Sequence, residues 1–304
     1  MDAKVELGIN NAFAVKKWIE PEEWTRVIVE DIGLRNIQFS FDLLFPSLKE
    51  ANAPFFCNEI NSAIKKYNAR ISSTFTGLNA YLQNMLVHPN PKVREAAINY
   101  YEDAIKITSG IGAPTTGGHF LSFTVKDFNN NSRREYLMKS FFEAMSYLSN
   151  IAYQNGLNSL TWEYMPTPYE PPHTIKEAEE FYNEINSYTK VPVYLCFDLG
   201  HTTAFDVDMQ SKDRDIYHVL KKLIPMTSML HLQQCDEIGD RYWPFIPEYN
   251  KVGIIDPKRI VDMINEYSDH KIDLYFEFIH GCEISGEKII EDHKYSADYW
   301  KKFI

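Results

Sequence analysis

Residues 191–202, VPVYLCFDLGHT, read as a strand that runs into polar chemistry. The apolar run Val193–Phe197 is short, rich in β-branched and aromatic residues, and bounded by Pro192 and Gly200, which suits a buried strand better than a helix. It stops on Asp198, and His201 follows. The same shape recurs on either side. SLTWEYMP (159–166) closes on Glu163, MLHLQQCD (229–236) holds His231, and LYFEFIHG (274–281) closes on Glu277.

Working outward, apolar runs predict strands at Val5–Ile9, Asn36–Phe41, Ile71–Thr76, Phe120–Val125, Ser159–Tyr164, Val193–Asp198, Met229–Gln233 and Leu274–Phe278. Amphipathic stretches near 21–33, 56–68, 90–108, 133–155, 175–188, 213–224, 256–268 and 285–303 predict helices between them, some with start signals such as Pro21-Glu22-Glu23 and Asp256-Pro257. No pair of runs reads as a hairpin. Alternating strand and helix implies parallel strands with helical crossovers. Eight units make an α/β fold of the (β/α)8 TIM barrel type the economical reading, with 1–304 as one domain. An open doubly wound sheet is the alternative, but GINNAF follows the first strand in place of a G-x-G-x-x-G phosphate loop.

Composition narrows the function classes. Hydrophobic residues make up 44% of the 304, enough for a sizeable core. The formal net charge of −11 disfavours a polyphosphate partner, so no nucleic acid is expected. Cys57, Cys196, Cys235 and Cys282 are scattered, without a C-x-x-C pair. The stretch MDAKVELGIN lacks a signal-like pattern, and no apolar run is long enough for a membrane span. A cytoplasmic location is the expectation, with a homodimer or homotetramer as the expected assembly.

Barrel enzymes carry their chemistry at the C-terminal ends of the strands. There the last four strands would present Glu163, Asp198, His231 and Glu277. Any one of them alone reads as a helix cap, an ion-pair member or a satisfied core histidine. Together, three carboxylates and an imidazole around one mouth repel or strand each other unless a cation joins them. Their mixed oxygen and nitrogen donors suit one divalent metal ion, Mn²⁺ ahead of Mg²⁺, Co²⁺ or Zn²⁺.

The series Glu, Asp-x-x-His, His, Glu over these strands resembles the xylose isomerase-like barrel superfamily. W-E-Y-M-P, F-D-L-G-H-T and the H-x-Q-Q segment resemble its ketose 3-epimerases of the tagatose 3-epimerase type. TGGHFLSFTVKDF and HLQQCDEIGDRYWPF further resemble a branch acting on erythrulose 1-phosphate. The resemblance implies metal ligation by Glu163, Asp198, His231 and Glu277, an acid/base role for Glu163 and Glu277, and a substrate contact by His201. The implied substrate is a small sugar or sugar phosphate, epimerised or isomerised through an enediolate. Tagatose-type epimerases place an arginine six positions after the metal histidine, and Glu237 stands there in this chain.

Further substrate contacts are expected from His119 and Ser122, beside Gly117 and Gly118, and from Arg241 and Trp243 after the seventh strand. The glycines also fit a plain tight loop, and Arg241 also fits a salt bridge to Asp236 or Asp240. Trp162 and Tyr164 are candidates for an apolar wall, Gln233 and Gln234 for orienting ligands, Asn10 and Phe13 for the far side of the pocket, and His280 for the mouth. PTPYEPPHT (166–174) reads as a stiff loop that could cover the site. An endonuclease IV-type nuclease would need more histidines, yet IQFSFDLLFP and ISSTFTGL offer none and Tyr242 stands where its Asp-x-His pair would end. A non-catalytic sugar-binding barrel is the remaining rival.

Overall fold

The computed structural model describes residues 4–47, 52–203 and 212–304. The apolar runs form strands β1 Val5–Asn10, β2 Asn36–Ser40, β3 Arg70–Phe75, β4 Thr115–Gly118, β5 Ser159–Tyr164, β6 Val193–Asp198 and β7 Thr227–Leu232. A two-stranded hairpin follows, β8 Gln234–Asp236 with β9 Gly239–Trp243, and β10 Ile272–Phe276 completes the barrel. The barrel closes in the order β1-β10-β7-β6-β5-β4-β3-β2, all parallel. Every residue of β2 and of β5 is buried, as expected for strands covered by helices outside and by one another's side chains inside.

The helices start where short polar side chains can satisfy free N–H groups. Asp256 accepts from the N–H groups of Lys258 and Arg259, ahead of Pro257, and Thr174, Asp215 and Ser285 cap the helices at 175–186, 216–223 and 286–300. The first helix begins at Pro21, and its continuation ends at Gly33, whose φ of 84° suits glycine. Among the described residues, no helix is long and apolar enough to cross a membrane.

Two expectations need correction. The fourth strand is Thr115–Gly118, not Phe120–Val125. Phe120, Leu121 and Phe123 are buried, but as packing beneath the loop, and Val125 opens a short helix capped by Thr124. Glycine is a poor strand former by propensity, so TTGG does not read as a strand. Packing decides otherwise: a Cβ on Gly117 would stand 2.1 Å from the Thr161 carbonyl oxygen of β5. These glycines therefore serve close strand approach rather than a phosphate-cradling loop. The second correction is the β8–β9 antiparallel hairpin, in a chain expected to hold none.

Side chains alternate along each strand, which fixes what faces the barrel axis. Cys196 and Met229 lie two residues upstream of Asp198 and His231, and with Phe75 and Tyr275 they form a separate buried cluster inside the barrel. The functional side chains stand on this packed floor.

Candidate active site

The C-terminal rim gathers the four ionisable residues. Asp198 and His231 are register partners on β6 and β7, Glu163 sits near the end of β5, and Glu277 follows β10 directly, its N–H bonded to the Leu232 carbonyl at 3.1 Å. One donor atom from each lies within 4.8 Å of the others. His231 Nδ1 stands 2.9 Å from Glu277 Oε2 and 3.4 Å from Glu163 Oε1. Despite that proximity it makes no hydrogen bond of good geometry to either. Asp198 Oδ1 is pinned by the Gly200 N–H at 2.7 Å and by Gln233 Nε2 at 2.8 Å, while Oδ2 is buried without a partner. Two orphaned buried donor atoms beside two carboxylates fit a divalent cation.

A layer of uncharged groups orients this set. Gln38 Oε1 accepts from His231 Nε2 at 2.8 Å and from Asn10 Nδ2 at 2.7 Å, and Asn10 reaches Glu277 Oε1 at 3.3 Å. An amide oxygen only accepts, so Nε2 of His231 carries a proton and Nδ1 is the nitrogen that faces the cluster. Tyr81, from the segment after β3, donates its hydroxyl to Glu163 Oε2. Its own ionisation is pushed up by burial and by the charges of Glu163 and Glu277, which keeps it a donor.

The electrostatics register a deficit of positive charge. Burial raises the Asp198 carboxyl to about 8. Burial would lower His201, yet Asp198, Asp240 and Glu163 outweigh it and lift that imidazole to about 9. His231 likewise rises despite burial, because of the Cys196 sulfur and Glu277. Burial raises Glu277 as well, but the charges on His231 and His201 bring it below the usual carboxylate range. Without a cation, the cluster retains protons in its place.

The remaining expected residues divide. His201 is buried next to the cluster, with Nδ1 2.7 Å from the Tyr164 carbonyl and Nε2 3.3 Å from the Tyr242 hydroxyl. His119 follows β4 directly and stacks on Tyr81 at 4.8 Å; burial lowers it to about 4, so it is neutral. Ser122 is half-buried with its hydroxyl on Glu170, a carboxyl from the 166–174 loop raised by burial to about 7. Gln233 holds Asp198 and accepts from the Tyr242 N–H, whereas Gln234 braces Asn250 and Ile255 away from the cluster. Trp162 faces outward onto Phe141 and Phe181, and the Tyr164 hydroxyl bonds the His173 carbonyl, because the pleat sends both neighbours of Glu163 to the opposite side. Neither lines a substrate wall.

Arg241 and Trp243 stand apart. The guanidinium of Arg241 lies on Asp236, with contacts at 3.0–3.1 Å, and over the ring of Trp243, which stacks on Tyr249 at 4.7 Å. The hairpin holds both outside the residues that line the mouth. That mouth is a cavity of about 410 Å³ whose lining includes Asn10, Asp42, Tyr81, Glu163, Tyr242 and Glu277. Phe13 and His280 also line it, as expected. A larger hollow of about 870 Å³, between the helices at 131–154 and 175–186, holds none of the clustered residues. The mouth is where two of the four clustered carboxylate and imidazole residues, Glu163 and Glu277, meet open space.

Gln38, Tyr81 and Glu170 were not singled out from the sequence. Gln38 carried a usable signal, a polar residue inside the apolar run IQFSF. Tyr81 carried none, since a short segment after β3 swings it over the barrel.

Comparison with known proteins agrees with this geometry. The chain is 25% identical to the D-erythrulose 1-phosphate 3-epimerase of Brucella abortus (strain 2308) over 306 aligned residues, covering 98% of this chain and 96% of that protein. A solved protein of Rhodospirillum rubrum ATCC 11170, named provisionally as a xylose isomerase, superposes with a TM-score of 0.90 at 27% identity, over 99% of each chain. D-psicose 3-epimerase of Clostridium cellulolyticum H10, solved with D-tagatose, shares the fold with a TM-score of 0.71 at 14% identity, over 98% of this chain and 99% of that one. The profile of the xylose isomerase-like TIM barrel family matches residues 27–299, and the chain belongs to that family.

Proposed function

We propose that this protein is an isomerase that epimerises a ketose at C3, using Glu163 and Glu277 as the acid/base pair and one divalent ion, Mn²⁺ by preference, held by Glu163, Asp198, His231 and Glu277. The observation that carries the reading is the convergence of two carboxylates, from β5 and from the end of β10, on the unbonded Nδ1 of His231. A bound divalent ion would supply a Lewis acid that stabilises negative charge developing on the ketose carbonyl and its neighbouring hydroxyl.

The chain's own residues supply the rest. Inversion at C3 requires a base to take a proton from one face of the sugar and an acid to return one to the other. Glu163 and Glu277 approach from parts of the rim separated by β6 and β7, an arrangement that serves two faces of a planar intermediate. Tyr81 holds Glu163, and Asn10 holds Glu277, so neither carboxylate swings freely. We assign His201, beside the cluster, a donor role toward a substrate oxygen, and His119 stacks on Tyr81, which lines the mouth. From the 166–174 loop, Glu170 feels the charges of His201 and Glu163, which sets that carboxyl at the edge of the cluster.

The Brucella relative's name supports a short ketose 1-phosphate as substrate. Aldose–ketose isomerisation uses the same enediolate and is the second reading, favoured by the provisional name of the Rhodospirillum protein. A panel of C4–C6 ketoses and their 1-phosphates in deuterated water separates the two. Deuterium entering at C3 is expected, and exchange confined to C1 would establish isomerisation instead. Absence of exchange in every sugar, with metal bound, would leave a binding barrel.

A further inference from the structure

The mouth cavity is unevenly charged. Asp42, Glu163 and Glu277 make one side of it repel an anion. Lys16 and Lys17, from the loop after β1, line the same cavity. Lys17 serves the scaffold: its Nζ donates to the carbonyls of Cys282 and Ile284 at 3.0 and 2.7 Å, tying the β1 loop to the segment after β10. Lys16 has no such task. It is exposed, its Nζ has one weak contact, to Cys282 Sγ at 3.7 Å, and it pairs with no carboxylate among the described residues. By contrast Lys66, Lys92, Lys258 and Lys271 each hold a carboxylate, in a chain of formal charge −11.

The backbone adds a second observation. Lys16 has a φ of 63°, in the left-handed region where a glycine would sit without strain and a long side chain does not. Residues held there persist where the side chain serves a purpose that offsets the cost. What lysine adds over glycine at this position is an ammonium on the cavity rim. His280 contributes a further polar atom to the same wall: Asp292 binds its Nε2 at 3.2 Å, and its Nδ1 is buried without a partner.

We propose that Lys16, supported by Lys17, seats the phosphate of a phosphorylated ketose whose reacting carbons lie over Glu163 and Glu277. The proposal rests on the epimerase reading and commits it to a phosphomonoester substrate. A compact ammonium on a flexible stem is a well-suited point charge for a phosphate dianion. The cavity of about 410 Å³ is lined by both the lysines and the two glutamates, so a ligand held in it faces both. Arg241, the other phosphate candidate, is already neutralised by Asp236 and is not part of this lining.

The test compares Lys16→Gly, which removes the ammonium and relieves the left-handed strain, with Lys16→Gln, which keeps most of the stem, and with Arg241→Ala. KM is measured for a ketose 1-phosphate and for the same unphosphorylated ketose, and inorganic phosphate is titrated by calorimetry. For both Lys16 variants the KM for the phosphorylated sugar should rise about tenfold more than that for the free sugar, equal to about 1.4 kcal/mol, with kcat little altered. Phosphate affinity should weaken in parallel, while the melting temperature of Lys16→Gly should not fall. A melting temperature that drops with an unchanged KM ratio would assign Lys16 a structural role and overturn the proposal. A tenfold effect in Arg241→Ala alone would move the phosphate to the hairpin, with the same consequence. If the parent protein turns over neither sugar, the epimerase reading falls. The phosphate titration then still decides the seat, which stands if Lys16→Gly loses the parent's binding and falls if the parent binds no phosphate.

Discussion

Replacing Gln38 by leucine tests the arrangement proposed to make His231 a metal ligand. Gln38 is fully buried on β2, and its oxygen accepts from His231 Nε2 at 2.8 Å and from Asn10 Nδ2 at 2.7 Å. Leucine has a similar volume and no acceptor. It would leave the Nε2–H buried and unpaired, which costs about 1–3 kcal/mol of stability, whereas Asn10 keeps its bond to Glu277 and adds less. The larger consequence concerns the cation. With no acceptor holding the proton on Nε2, the ring is free to turn or change tautomer, and loss of such an outer partner lowers metal affinity about 10–100-fold, or about 1.4–2.8 kcal/mol. Calorimetric titration of Mn²⁺ into the metal-free protein reads the affinity, and urea denaturation without metal reads the stability. Gln38→Glu, which still accepts at the same place, should restore binding. A folded Gln38→Leu variant that binds Mn²⁺ as tightly as the parent would refute the role assigned to this amide.

Other outcomes follow from the same geometry. Glu163→Gln and Glu277→Gln should each lower kcat about 10²–10⁴-fold at saturating metal, as loss of an acid or base does, and near-parental turnover in either would remove that residue from proton transfer. Metal affinity should depend on pH in a fixed sense. Asp198, raised to about 8, and His231, also raised, must shed protons to bind, so affinity should climb from pH 6 to 8 by about tenfold per unit for each proton displaced. Calorimetry in buffers of different ionisation enthalpy counts the released protons, and a count of zero would contradict the charge deficit. Gly117→Ala should destabilise the barrel by about 3 kcal/mol or more, since its Cβ meets the Thr161 oxygen at 2.1 Å; parental thermal stability would mean that β4 and β5 can part there.

Much of the site could be read in advance because a strand imposes a simple rule. In β5 and β6 a charged residue at the end of an apolar run has one face to occupy, and parallel strands carry it to the same rim. That reasoning reached Glu163 and Asp198 directly, and His231 and Glu277 with strand bounds off by about two residues, the usual uncertainty for sequence-read boundaries. It failed at β4, where glycines form a strand because a neighbouring backbone leaves no room for a side chain. It did not foresee the hairpin that carries Arg241 and Trp243, which stand outside the residues that line the mouth.

The sequence by itself determined the alternation of strand and helix, the barrel it implies, and the ring of acceptors at one end. These follow from local periodicity and from the rule that buried charge needs a partner. Only the tertiary structure decided which uncharged residues govern those acceptors. Gln38 meets His231 across the barrel, and Tyr81 reaches Glu163 from another loop. Such pairings join residues far apart in the chain, and no local pattern encodes the angle at which two distant loops meet.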